Sequence, residues 1–152
     1  MKKVLVLLGS KSDEQVMAGC TDILTFFGIP FDMKVSSAHR QPEQTASLVK
    51  AAEGEGYGVV IAAAGMAAHL PGVAASYTTL PVIGVPLEGS ALHGVDALYS
   101  IVQMPAGIPV ATVAIGSAGV KNAAVLAAEI LALSDEGIRR SLQDFRRNGA
   151  KL

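Results

Sequence analysis

The chain has 152 residues, 51% of them apolar and only 16% charged, with a formal net charge of −1 and a mean hydropathy of +0.44. That length suits one domain with a core of its own. An average soluble domain carries roughly 25% charged residues, so the shortfall here leaves apolar surface that association with further copies would cover, and a homo-oligomer is expected. The near-neutral balance has no basic stripe and excludes a nucleic-acid footprint, while the single cysteine, Cys20, excludes an intramolecular disulfide.

Two stretches lack Asp, Glu, Lys and Arg, one between Glu55 and Glu88 and one between Asp96 and Lys121. Pro71, Pro81, Pro86, Pro105 and Pro109 break them into runs shorter than the ~20 residues a membrane helix needs, so no span is expected. The start reaches Gly9 and polar Ser10 too soon for a secretory signal, and the cytoplasm is the expected address.

In chain order, Lys3 to Leu8 is a short apolar run ending at Gly9, suited to a strand buried on both faces. Ser12 or Asp13 can then cap a helix with Val16, Cys20, Ile23, Leu24 and Phe27 on one stripe, stopped by Gly28. Phe31 to Ser36 reads as a second strand, and Pro42 to Ala52 as a second helix with proline in its first turn. Val59–Ala63 and Pro81–Val85 read as the third and fourth strands, separated by a small-residue helix over Pro71–Tyr77. A helix over Val95–Val102, a fifth strand over Val110–Ile115 and an alanine-rich helix over Asn122–Leu133 follow. Ile138, Leu142 and Phe145 mark a final amphipathic helix over about 135–148, packed on the core or on a neighbouring subunit, with its arginines on a solvated face. Alternating strands and helices predict an α/β fold with a central parallel sheet covered on both sides, in one domain spanning residues 1–152.

Open parallel sheets bind ligands at the carboxyl ends of their strands, which directs attention to the loops after the first three. Gly9-Ser10-Lys11-Ser12-Asp13 offers hydroxyls and N–H groups to a phosphate and a carboxylate to ribose hydroxyls, although a plain helix cap explains it as well. Ser37-Ala38-His39-Arg40 sets a proton-transfer group beside a permanent cation, unless it is an ordinary surface turn. Ala64-Gly65-Met66-Ala67-Ala68-His69-Leu70-Pro71-Gly72 lets a ligand lie against the backbone, or else serves close packing of helix on sheet with His69 at its edge. No Walker pattern, dinucleotide fingerprint, nucleophile elbow or metal-ligand spacing is present, and His93 is assigned no role. Cys20 falls on the apolar stripe and reads as a buried structural thiol.

These loops, followed by Leu80-Pro81-Val82-Ile83-Gly84-Val85-Pro86 and by Ser100 to Val110 (SIVQMPAGIPV), resemble the PurE family from Val4 to about Leu133. The resemblance implies a flavodoxin-like three-layer sandwich without flavin, assembled as a homo-octamer with sites near subunit boundaries. It implies conversion of N5-carboxyaminoimidazole ribonucleotide to 4-carboxy-5-aminoimidazole ribonucleotide in purine biosynthesis, without metal, biotin, ATP or redox cofactor. On the matching positions His39 would be the catalytic acid and base. Ser10, Asp13 and Arg40 would bind the nucleotide, Ser12 and Ser37 would help to hold its phosphate, and Gly65 and the backbone of Ala67 and Ala68 would line the base and carboxylate pocket with His69 beside it.

A second class in the family carboxylates aminoimidazole ribonucleotide directly with carbon dioxide. It typically carries lysine after the first histidine and lacks the second histidine motif, whereas His39-Arg40 and Ala68-His69-Leu70-Pro71 follow the mutase pattern. A non-catalytic mononucleotide-binding module on the same fold is the remaining alternative. Three positions depart from the family pattern: Gln41 where threonine is common, Glu14 where tryptophan is frequent, and Met66 where many members have a second glycine.

Overall fold

A computed structural model describes residues 1–151; the expected domain span of 1–152 ends at Leu152, which lies outside the described residues. Five strands, β1 (Lys3–Leu8), β2 (Phe31–Val35), β3 (Tyr57–Gly65), β4 (Val82–Leu87) and β5 (Ala111–Thr112), pair in parallel in the order β2-β1-β3-β4-β5. Six helices connect and follow them: α1 (Ala18–Phe26), α2 (Pro42–Ala52), α3 (Leu70–Tyr77), α4 (Val95–Val102), α5 (Ser117–Leu131) and α6 (Glu136–Arg147). This is the flavodoxin-like α/β arrangement expected from the sequence.

Side chains alternate across a strand, so each apolar strand feeds both faces of the sheet. Val4, Val6 and Leu8 of β1, with Val59, Ile61 and Ala63 of β3, face the buried sides of α1, α5 and α6. Leu5 and Leu7, with Val60, Ala62 and Ala64, face α2, α3 and α4. Burial of such a side chain contributes about 1.5–3 kcal/mol, and the two cores hold the sheet from both sides. The final helix closes the first core: Asp135 caps it by accepting from Gly137 N and Ile138 N, and the Phe145 ring packs 5.3 Å from that of Phe27.

Several elements differ from the sequence expectation, among them α5, which starts at Ser117 rather than Asn122, and β4, which runs to Leu87 rather than Val85. Ser10, not Ser12, is the helix-start cap, and it opens a 3₁₀ turn over Lys11–Asp13. Residues 14–17 form further turns before the α-helix proper begins at Ala18. That shifts the helical phase, so that Met17 is fully buried while Val16, expected on the core stripe, is 46% exposed. The central β3 is longer than its apolar run because β1 pairs with it from Tyr57 and β4 pairs with it as far as Gly65. By contrast β5 shrinks to two residues at the sheet edge, although Val113 N still donates to Gly84 O at 3.2 Å and Gly116 N to Pro86 O at 3.0 Å.

Gly119 shows which term governs the start of α5. A Cβ there would overlap the Ala114 carbonyl, which is backbone and cannot rotate away. Alanine would otherwise favour a helix over glycine by ~1 kcal/mol. Gly119→Ala is therefore expected to destabilise the protein, by about 1–3 kcal/mol or more, despite the better helix former; a higher urea midpoint than wild type would contradict this packing account.

Candidate active site

The connections leaving β1 and β3 place their helices on opposite faces of the sheet, which opens a crevice above the carboxyl end of β1. The three loops singled out in the sequence converge there, around a cleft of about 620 Å³. That is a fitting size for a small-molecule site.

The first loop is held by reciprocal hydrogen bonds. Ser10 Oγ accepts from Ser12 N at 3.3 Å and lies 2.9 Å from Ser12 Oγ, while Asp13 Oδ2 accepts from Ser10 N at 3.1 Å. The same side chains that cap the turn also line the cleft, so the capping and binding readings are compatible. Partial burial pushes the Asp13 carboxyl above the ordinary aspartate range, against the pull of the Ser10 N–H. A carboxylate short of water in this way gains from any hydroxyl donors a ligand brings.

The second loop is anchored below and tight above. Ser36 N donates to Leu8 O at 2.9 Å, and its buried hydroxyl lies 2.7 Å from Thr45 Oγ1 on α2. This ties the end of β2 to both β1 and α2. Ser37 Oγ then accepts from Arg40 N at 3.2 Å, and Gln41 N donates to Ser37 O at 2.8 Å. The turn presents His39 and Arg40, both exposed, at its tip. Gln41 takes part through its backbone and makes no side-chain cap to α2.

The third loop leaves β3 at Gly65, where a Cβ would stand 3.4 Å from Leu87 O. Met66 follows in the left-handed region at φ +55°, a conformation that costs a residue with a Cβ more than it costs glycine. His69 is the N-cap residue of α3, and its Nδ1 lies 2.7 Å from His39 Nε2, with the rings edge to face at 83° and centroids 4.8 Å apart.

Of the residues expected from the sequence, Ser10, Ser12, Asp13, Ser37, His39, Arg40, Gly65, Ala67 and His69 all line the cleft. Ala68 does not: its side chain is fully buried in the core beside Leu70 and Ala74. Sequence reasoning missed Glu88 and Gly89, which enter the cleft wall from the end of β4, and Val16, which the phase shift turns outward. Inspecting the loop after the fourth strand as well as the first three would have found Glu88. Burial pushes the Cys20 thiol up to about 12, in keeping with a structural thiol. Among the described residues no three of His, Cys, Asp or Glu converge as metal ligands, and no helix is long and apolar enough to cross a membrane.

Comparison with known proteins converges on one family. The family model described as AIR carboxylase matches residues 3–151. N5-carboxyaminoimidazole ribonucleotide mutase of Brucella melitensis is 53% identical over 144 residues, covering 95% of this chain and 89% of the relative. The Escherichia coli enzyme of the same name is 51% identical over 145 residues, covering 95% and 86%. The crystal structure of Treponema denticola PurE superposes with a TM-score of 0.87 at 31% identity, over 99% of this chain and 92% of that one. With sequence, fold and cleft in agreement, the chain belongs to the AIR carboxylase (PurE) family.

Proposed function

We propose that the protein converts N5-carboxyaminoimidazole ribonucleotide to 4-carboxy-5-aminoimidazole ribonucleotide, a mutase step of purine biosynthesis in which one carboxylate moves from the exocyclic nitrogen to ring carbon C4. The observation that carries this reading is the meeting of His39 and His69 in a cleft that also holds Arg40, Asp13 and a wall of small residues. The mutase name of relatives 53% and 51% identical supports the reaction type. The direct carboxylase of the same family is the enzymatic rival; His39-Arg40 and Ala68-His69 follow the mutase pattern in this chain.

In this mechanism Arg40 grips the phosphate, with Ser12 and Ser37 assisting, while Ser10 and Asp13 hold the rest of the nucleotide. His39 delivers a proton to the carbamate nitrogen as the N–C bond breaks, and the bond pair stays on nitrogen as carbon dioxide leaves. The wall formed by Gly65 and Ala67 keeps carbon dioxide beside the ring, which raises its effective concentration. Ring carbon C4 then attacks it, and the now neutral His39 removes the C4 proton. The imidazole ends in the state in which it began, so no external proton source is consumed.

Assembly as a homo-octamer and residence in the cytoplasm belong to the same reading. Leu92, Val95, Tyr99 and Val102 present apolar surface on and before α4, at 41–64% exposure, in support of self-association. Sedimentation is expected to find a large homo-oligomer, and a stable monomer would count against this part.

Three activity measurements test the reaction itself. His39→Asn is expected to lower turnover at least 10²–10⁴-fold with substrate still bound, because one group serves as acid and then as base; unchanged turnover removes His39 from the mechanism. Arg40→Ala should weaken binding of the phosphorylated substrate by roughly 10- to 100-fold, the worth of a charge-assisted hydrogen bond, and leave a dephosphorylated analogue unaffected. Wild-type activity on N5-carboxyaminoimidazole ribonucleotide should not require bicarbonate; a bicarbonate requirement with aminoimidazole ribonucleotide as substrate would identify the carboxylase instead.

A further inference from the structure

The contact between the two imidazoles constrains which nitrogen of His39 can work. Two ring nitrogens 2.7 Å apart share a single hydrogen, so one donates and the other accepts. A doubly charged pair would set two N–H groups against each other and lose the bond. When the pair carries one positive charge, that charge has two possible homes. His69 is the N-cap residue of α3, whose amino end bears partial positive charge from its aligned peptide dipoles. Placing the cation on His39 avoids that repulsion. His39 Nε2–H then donates to a neutral His69 through Nδ1, and the second His39 proton sits on Nδ1. Among the described residues the hydrogen bond to His69 is the one side-chain bond His39 makes, which leaves that Nδ1–H without a protein partner.

From this geometry we infer that His69 is a positioning residue that holds His39 by Nε2–H, so that Nδ1 is the atom exchanging protons with the substrate. The inference rests on the mutase reading for its chemistry and deepens it. In the first step the Nδ1 proton passes to the carbamate nitrogen as the N–C bond breaks. Neutral His39 keeps its hydrogen on Nε2, still bonded to His69, and exposes a lone pair on Nδ1. That lone pair takes the C4 proton after the new C–C bond has formed. The acid form thus leaves behind the base tautomer that the second step needs, with no ring flip between them. A third group that holds an imidazole in one tautomer does the same for the general base of hydrolase triads.

The protein has three histidines, so selective ¹⁵N labelling gives a readable spectrum. In the ligand-free wild-type protein, neutral His39 is expected to carry its hydrogen on Nε2. His69→Leu should leave a mixture of tautomers and lower kcat tenfold or more, with KM within about twofold. His69→Asn, whose side-chain oxygen can accept the same hydrogen bond, should recover part of the lost kcat and of the tautomer preference. Neutral wild-type His39 carrying its hydrogen on Nδ1 would overturn the inference, whatever the variants do. So would a His69→Leu enzyme with raised KM and full kcat, which would make His69 a substrate contact only. Failure of the mutase reading has a different signature, a wild-type enzyme that does not turn over N5-carboxyaminoimidazole ribonucleotide without bicarbonate, and leaves the tautomer measurement standing as a separate result.

Discussion

The 2.7 Å approach of His39 to His69 depends on the order of strands in the sheet. Thirty positions separate the two residues in the chain, yet β2 and β3 lie on either side of β1, and their loops lean over its carboxyl end from both flanks. Most of the fold can be understood as holding those two loops in place. The buried Ser36–Thr45 hydrogen bond fixes the end of β2 to α2, and Gly9 N donating to Ala63 O at 3.1 Å fixes the exit of β1 to β3. Both anchors lie under the cleft and leave the His39 and His69 side chains exposed at its rim.

The small residues of β3 and the following loop serve the core and the cleft wall together. Ala62 and Ala64 let α3 come close to the sheet, and the same poverty of side chain continues through Gly65 and Ala67 into the cleft wall. Packing against a ligand and packing of helix on sheet are alternatives only in the abstract: Ala68 faces the core while its neighbours Ala67 and His69 face the cleft. Met66 is where this compromise strains, since the chain turns there through a left-handed conformation with a side chain attached.

Much of the fold was legible because local pattern and tertiary environment agree. The bounds of β1, α2 and α4 follow from apolar runs and from proline or glycine at their ends. Where the expectation failed, a tertiary term overruled the local one. A reciprocal Ser10–Asp13 cap and extra turns delayed α1 and moved the buried position from Val16 to Met17, and no periodicity in the sequence announces such a shift. Strand length followed pairing: β3, paired on both sides, outgrew its apolar run, and β5 at the edge fell short of it. Around the cleft, motif position pointed to the first three loops, because each motif sits at a strand end. Glu88 was passed over because it follows the fourth strand, outside the three loops inspected, and it reaches the cleft through the β3–β4 pairing. The His39–His69 contact was equally hidden, for sequence places both histidines at strand ends without saying which atoms meet.

A structure of the protein with its product bound would test the central claim most directly, through the distance from the His39 ring to the heterocycle. The account predicts a His39 nitrogen about 3 Å from the exocyclic nitrogen or C4, with Arg40 at the phosphate. An imidazole turned from the base, with no ring atom of the ligand in reach, would contradict it.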